Sequence, residues 1–142
     1  MMIFLEVLGI ARPGGSKTPG MTKAGRLFVR PANPKTAEWM DEVRKAAVKQ
    51  YAGPLLSGPI EMHFDFRFPR PKKHFTKGGL LKPNAPEWHT NKPDLTKIIR
   101  STEDALTNIV WKDDSLVCKR SEEKRYCSLT EFPGVLMVIR EI

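Results

Sequence analysis

The sequence has few cysteines, no long apolar segment and no nucleotide-binding loop. Cys118 and Cys127 are its only cysteines. Their spacing matches no zinc pattern, so we expect reduced thiols, the alternative being one disulfide across a hairpin. No apolar run approaches the roughly 18 residues that span a membrane. The first residues, MMIFLEVLGI, lack the basic segment and cleavage site of a signal peptide. Walker A spacing is also absent. A cytoplasmic protein with no membrane role and no nucleotide cofactor is predicted.

Basic residues, in contrast, are abundant. The 142 residues include 24 Lys and Arg against 16 Asp and Glu, which gives a net charge of +8. Such a balance favours nucleic acid or an anionic surface as the partner, and the alternative is that it only aids solubility. Hydrophobic residues make up 40% and charged residues 28%, as in soluble globular proteins. The length fits a single domain, residues 1–142.

Apolar periodicity predicts the elements of this domain. The segment PIEMHFDFRF alternates strictly, which is typical of a strand with one buried face. Apolar residues that recur every three or four positions predict two helices. The expected order is strand Ile3–Ile10, loop Ala11–Gly25, strand Arg26–Arg30, helix Lys35–Tyr51, strand Pro59–Phe68, a long connection Pro69–Pro93, helix Asp94–Ile109, strands Ser115–Cys118 and Lys124–Cys127, and strand Pro133–Ile142. Together they indicate an α+β fold, a mixed sheet of about four or five strands packed by two main helices.

Acidic residues gather around the second helix of this basic chain. Asp94 opens the helix, and Asp113 and Asp114 follow its end. Mg²⁺ prefers oxygen ligands and is usually held by one or two carboxylates together with phosphate. The pattern therefore predicts a divalent-metal site that acts on a polyanion, with Arg100 or Lys97 neutralising phosphate charge. In the alternative, Asp94 only caps the helix, and its polar residues form a solvated, salt-bridged face.

Cations and aromatic residues alternate in the connection before this helix. Cations can bind DNA phosphates, and aromatic rings can stack on exposed bases. The aromatic residues concerned are Phe66, Phe68 and Phe75. The cations predicted to bind DNA are Lys17, Arg70, Lys72, Lys73, Lys77 and Lys97. The alternative is a solvated loop with no partner.

The segment Lys92–Val117, KPDLTKIIRSTEDALTNIVWKDDSLV, contains a helix-opening Asp, a DAL tripeptide and a W-x-DD pattern. In these features it resembles the RusA-type Holliday-junction resolvases. The similarity continues more weakly through RPKKHFTKGGLLKPNAPEWHT and the N-terminal PGGSK. It implies a bacterial or phage-encoded α+β homodimer. Such a protein would use Mg²⁺ or Mn²⁺ to resolve four-way or other branched DNA by paired phosphodiester hydrolysis, in recombination and repair.

The resemblance also implies residue roles. Asp94 corresponds to the first catalytic aspartate, and Asp114 with Asp113 corresponds to the acidic pair. Arg100 stands where the family has a catalytic lysine, and Asp104 is the acid of the DAL element.

The chain departs from the family pattern at Thr96, where a second aspartate is expected as a metal ligand. Glu103 follows about two helical turns later and roughly 20° away in projection. We hypothesise that Glu103 replaces the missing carboxylate, and the alternative is that Glu103 is simply exposed. The predicted metal ligands are Asp94, Asp113, Asp114 and Glu103. The predicted catalytic residues are Asp94, Asp114, Arg100 and Glu103.

Two rival functions remain consistent with the sequence. Because Thr96 removes one expected ligand, the chain is alternatively a catalytically weak or inactive branched-DNA-binding protein of the same fold. The third possibility is a small basic interaction protein with no nucleic-acid role. Salt-dependent DNA binding would separate this third possibility from the other two.

Overall fold

The computed structural model describes residues 2–15, 17–31 and 33–142, without the side chains of Lys17, Thr18 and Arg30. Its helices are α1 (Pro34–Gln50) and α2 (Leu95–Leu106). Its strands are β1 (Met2–Leu8), β2 (Lys17–Met21), β3 (Leu27–Pro31), β4 (Ile60–Phe68), β5 (Val117–Tyr126) and β6 (Gly134–Glu141). Short 3₁₀ turns cover Lys72–His74 and Asp114–Leu116. None of the helices in these ranges is long and apolar enough to cross a membrane.

Four strands form a mixed sheet in the order β1-β6-β4-β5. β6 pairs antiparallel with β1 and with β4, whereas β5 runs parallel to β4. A parallel pair needs a crossover connection, and α2 lies in the one between β4 and β5. Strands β2 and β3 form a separate antiparallel hairpin. The predicted α+β architecture with a mixed sheet and two helices is confirmed.

The core lies between one sheet face and the two helices. Trp39 of α1 donates a hydrogen bond from Nε1 to Thr102 Oγ1 of α2 at 3.1 Å, which fixes the helices against each other. Trp39 and Trp111, predicted as core or interface residues, are both buried. Strand β4 contributes every second residue to this core, as its alternation predicted: Ile60, Met62, Phe64, Phe66 and Phe68.

The segment Ala11–Gly25 was expected to be a loop, and this prediction is wrong for the part that forms strand β2. Its sequence, KTPGM, has low strand propensity, but pairing with β3 outweighs that preference. Gly20 makes the pairing possible, since a side chain there would collide with the Phe28 ring across the hairpin.

The region after α2 also differs from the prediction. Instead of two short strands around a charged turn, Val117–Tyr126 is one strand. Its charged residues are tolerated because β5 is an edge strand, where charges face solvent and discourage further pairing. Helix α2 ends at Leu106 rather than Ile109, since Thr107 has an extended conformation.

Three side chains are not available for the roles predicted for them. Arg67, expected on the solvent face of β4, is only 8% exposed and its Nη2 lies 3.0 Å from Glu6 Oε1. Phe66 and Phe68, expected to stack on bases, belong to the core. Sequence alternation identifies two faces of a strand but cannot show that both faces are covered.

Candidate active site

Acidic side chains meet near the C-terminal end of α2. Glu103 and Asp104 lie on its last turn, and Asp114 begins the 3₁₀ turn that leads into β5. Because the chain reverses direction between α2 and β5, Asp114 comes within hydrogen-bonding reach of Asp104 as well as of Asp113. This group of carboxylates, which we call the acidic cluster, comprises Glu103, Asp104, Asp113 and Asp114.

Glu103 is the buried member of the acidic cluster. Its exposed fraction is 9%, although the helical projection placed it on the polar face of α2. Arg120 of β5 lies beside it, with Nη1 3.6 Å from Oε1. The second oxygen, Oε2, is buried and has no hydrogen-bond partner among the described residues. A buried carboxylate oxygen in this state is costly unless a cation or water lies next to it.

The electrostatics of the acidic cluster favour a bound cation. Burial is the main reason that the pKa of Glu103 rises to about 7; Arg120 opposes the rise, whereas Asp114 and Asp104 add to it. Burial, followed by contact with Asp113 and the charge of Asp104, also raises the pKa of Asp114. Carboxyl groups that resist ionisation together are those that a divalent cation stabilises most, because its charge reverses the repulsion.

Asp113 has a different role from its neighbour. Its Oδ1 accepts a hydrogen bond from the Ser115 N–H at 2.8 Å, so it caps the 3₁₀ turn. This backbone hydrogen bond is the main cause that lowers the pKa of Asp113. Asp113 is therefore a fixed negative charge that also holds Asp114 in place.

Asp94, in contrast, lies at the opposite end of α2. It is the N-cap residue, and its Oδ2 is 3.7 Å from Lys97 Nζ. With a rise of 1.5 Å per residue, the helix separates Asp94 from Glu103 by about 14 Å. Two carboxylate side chains cannot cover that distance to one ion. That one ion is held by Asp94 together with Glu103 stays a prediction, and the length of α2 counts against it.

Arg100 and Thr96 lie on the solvent side of α2 between its two ends, and both are exposed. Arg100 precedes Glu103 by one turn, so its guanidinium can reach a phosphate placed over the acidic cluster. Thr96 lies near Asp94 and contributes no carboxylate. The hypothesis that Glu103 replaces a ligand at the Thr96 position therefore implies a site displaced along the helix.

The acidic cluster is not a closed metal cage. No group of three or more His, Cys, Asp or Glu side chains in the described part of the chain is arranged to hold a metal ion. Mg²⁺ needs fewer protein ligands than such a group supplies, since it keeps several waters and often binds substrate phosphate. Glu103 and Asp114 fit that kind of open site.

The cations predicted to bind DNA differ in solvent exposure and in whether they hydrogen-bond to the protein itself. Lys72, Lys73 and Lys77 are exposed, as is Lys97. Arg70 is instead committed to the protein, because its Nε donates to Cys127 O at 2.9 Å and its Nη1 donates to Pro86 O at 2.7 Å. The Lys17 side chain lies outside the described residues.

Comparison with known proteins identifies the family of the chain. The family model for endodeoxyribonuclease RusA matches residues 11–137. The chain belongs to the RusA family. An uncharacterized protein of Bacillus subtilis strain 168, YqaN, is 29% identical over 149 residues, which cover 99% of this chain and 94% of YqaN.

RusA membership identifies the chain as a member of a family of Holliday-junction resolvases, and the α+β arrangement is consistent with a RusA-like fold.

The RusA motif, however, does not include two cations that border α2 in the structure. Arg120 lies beside Glu103, and Lys124 donates from Nζ to the Pro93 carbonyl at 2.7 Å. The sequence could have indicated these two cations, because alternation along β5 puts Arg120 and Lys124 on the same face of one strand.

Proposed function

We propose that this chain is a divalent-metal-dependent endodeoxyribonuclease that resolves four-way or other branched DNA. The observation that carries the proposal is the pairing of buried Glu103 with Asp114 at one end of α2, beside exposed Arg100, in a RusA-family chain of net charge +8. A carboxylate pair alone would repel DNA, so its place in a basic protein is best explained by a cation between carboxylate and phosphate.

Glu103 and Asp114 would hold a Mg²⁺ or Mn²⁺ ion, and the negative charge of Asp113 supports them. When bound, such an ion supplies a nucleophile from water and neutralises the charge that develops on phosphate. The chain's own residues position the substrate: Arg100 grips phosphate oxygens as a fork. Arg120 would hold the Glu103 carboxylate in position through its contact with Oε1.

Cleavage of a synthetic four-way junction tests this proposal. We expect paired nicks with Mg²⁺ or Mn²⁺ and none with EDTA. Asp114→Asn should reduce the cleavage rate at least 100-fold, because it removes a ligand. Asp94→Asn should have a smaller effect, since Asp94 is about 14 Å along α2 from Glu103. Equal losses in the two variants, with both folded, would contradict the displaced metal site.

The exposed Thr96 side chain favours one alternative, a weak or inactive branched-DNA-binding protein. Thr96→Asp supplies the second aspartate that the family pattern has beside Asp94, and it distinguishes the two functions. If the wild type binds junctions but does not cut them, and Thr96→Asp cuts with Mg²⁺, the natural protein is the DNA-binding form. Activity in the wild type that depends on Glu103 would exclude this alternative.

A symmetric homodimer would set one site against each of two strands of a junction. The outer face of β1 supports a dimer, because Met2, Phe4 and Leu8 are all more than half exposed there, at 53%, 61% and 55%. The strand's free edge is less suitable, since the Gln50 side chain hydrogen-bonds both Glu6 N and Glu6 O. We expect Phe4→Lys to shift the mass measured by light scattering from dimer to monomer. A dimer that Phe4→Lys leaves intact would place the interface elsewhere.

A further inference from the structure

The connection between β4 and α2 folds into a hairpin-like loop. Phe75 and Leu81 form an antiparallel β-bridge, and the Lys82 N–H donates to His74 O at 2.9 Å. This bond brings the two halves of the loop together, although Lys73 and Lys82 are distant in sequence. Two lysines are thus held at the mouth of one cavity.

This cavity, which we call the loop pocket, has a volume of about 360 Å³. Its walls offer cationic, amide and hydroxyl groups, and none of the described residues that line it is acidic. The polar residues that line it include Lys73, His74, Lys82, Asn84, Asn91 and Tyr126. Ammonium and amide donors without carboxylates suit an anion with several acceptor oxygens.

The floor of the loop pocket is packed against the body of the protein. Arg70 Nη1 lies 3.3 Å from His74 Nδ1. Because a guanidinium only donates, the neutral imidazole must carry its proton on Nε2. The His74 ring also packs edge-on against Tyr126, with ring centroids 4.7 Å apart, and is 5% exposed. These contacts join the loop side of the pocket to strand β5.

Positive charge in the loop pocket is not balanced by an ion pair with any of the described residues. Lys73 and Lys82 make no salt bridge to any residue the structure describes. Burial, and then the charges of Arg70, Lys73 and Lys82, lower the pKa of His74, which agrees with an excess of cations at this point. Lys72 and Lys77 of the same loop are also exposed. A loop with several exposed lysines suits a continuous polyanion rather than a small free anion.

We propose that the loop pocket binds one backbone phosphate of the DNA, with Lys73 and Lys82 as its ligands. This inference rests on the proposed function, because it makes the pocket a second contact on the strand that the acidic cluster cuts. Asn91 and Lys124 connect the pocket to the start of α2, since Lys124 Nζ donates to Asn91 O at 2.7 Å. The phosphate would thus bind at the N-terminal end of α2, and cleavage would occur at its C-terminal end.

Two double variants test the pocket, and each removes two positive charges while keeping the side-chain stems. Lys73→Gln with Lys82→Gln alters the pocket. Lys45→Gln with Lys49→Gln is the matched control on α1, where both lysines are exposed. Junction affinity is measured in EDTA over a range of salt concentrations. We expect about a tenfold loss and a log–log salt slope smaller by about one for the pocket variant, and less than a twofold loss for the control. Equal losses in the two double variants would overturn the proposal.

Inorganic phosphate is the second probe, because it tests the pocket without DNA. In NMR spectra at constant ionic strength, phosphate should shift the side-chain amides of Asn84 and Asn91 in the wild type but not in the pocket variant. If phosphate shifts them and junction affinity is unchanged in the pocket variant, the site takes free phosphate and the DNA contact is refuted. If the wild type binds no junction, the proposed function fails, and phosphate-induced shifts would still support the pocket as a phosphate site. An absence of shifts would then refute the pocket as well.

Discussion

Glu103→Gln tests whether the acidic cluster is poised for a cation. In the folded protein the pKa of Glu103 is raised from 4.5 to about 7, chiefly by burial. Between these values the folded chain binds more protons than the unfolded chain. The free energy of unfolding of the metal-free protein must therefore fall as the pH rises through this window, and the loss is complete above pH 7.

The size of this loss in unfolding free energy follows from the pKa shift of Glu103. At about 1.4 kcal/mol per unit, a rise from 4.5 to about 7 corresponds to roughly 3 kcal/mol. The Glu103 side chain is 12% exposed, so solvent screening reduces this only a little. Gln has nearly the same shape and stays neutral. We therefore expect Glu103→Gln to be about 2–3 kcal/mol more stable than the wild type at pH 8, and within about 1 kcal/mol of it at pH 4.

Urea denaturation in EDTA at pH 4, 6 and 8 measures these differences. Glu38→Gln is the control, because it makes the same chemical change at an exposed position on α1. Adding Mg²⁺ at pH 8 should stabilise the wild type more than Glu103→Gln, since only the wild type has the ionised ligand. Identical pH dependence in the wild type and in Glu103→Gln would refute the claim that burial destabilises the charged form of Glu103.

Two further predictions concern stability. Arg125 forms forked ion pairs with Asp65 at 2.9 Å and with Glu131 at 2.7 Å. Arg125→Ala should therefore lower the free energy of unfolding, measured in urea, by about 3 kcal/mol. A loss below about 1 kcal/mol would contradict this expectation. At Gly134 a Cβ would collide with the Val7 carbonyl oxygen across the β1–β6 pair, and backbone atoms cannot rotate away. Gly134→Ala should therefore cost about 3 kcal/mol or more by thermal unfolding, and a melting temperature like that of the wild type would contradict the pairing.

The parts of the fold that local periodicity determines were predictable from the sequence. The alternation of Pro59–Phe68 and the helical spacing from Lys35 to Tyr51 correspond to β4 and α1 almost residue for residue. In both elements a contiguous pattern selects which side chains are buried, and the pattern is stronger than any local propensity. Strand β5 was predicted incompletely, because its charged middle is tolerated only at a sheet edge, which the sequence does not reveal.

The candidate site was predictable in its residue types but not in its arrangement. The motif identified Asp114 and suggested Glu103, yet a helical projection assigns only one buried face to α2. Glu103 is buried because Arg120, from a strand that the sequence analysis divided in two, lies beside it. A contact between distant segments of the chain is information that no local pattern contains.

The geometry of α2 connects the missing aspartate to the position of the proposed metal. With threonine at position 96, the N-terminal end of the helix has one carboxylate, Asp94, and it already pairs with Lys97. The C-terminal end has two acids with raised pKa, Glu103 and Asp114, and a buried Glu103 oxygen with no hydrogen-bond partner among the described residues. A cation is stabilised most where carboxylates are concentrated, and along α2 that is the C-terminal end. The helix cannot bring its two ends to the same ion. Threonine in place of aspartate at position 96 therefore favours a metal site at the C-terminal end of α2 over the complete loss of metal binding.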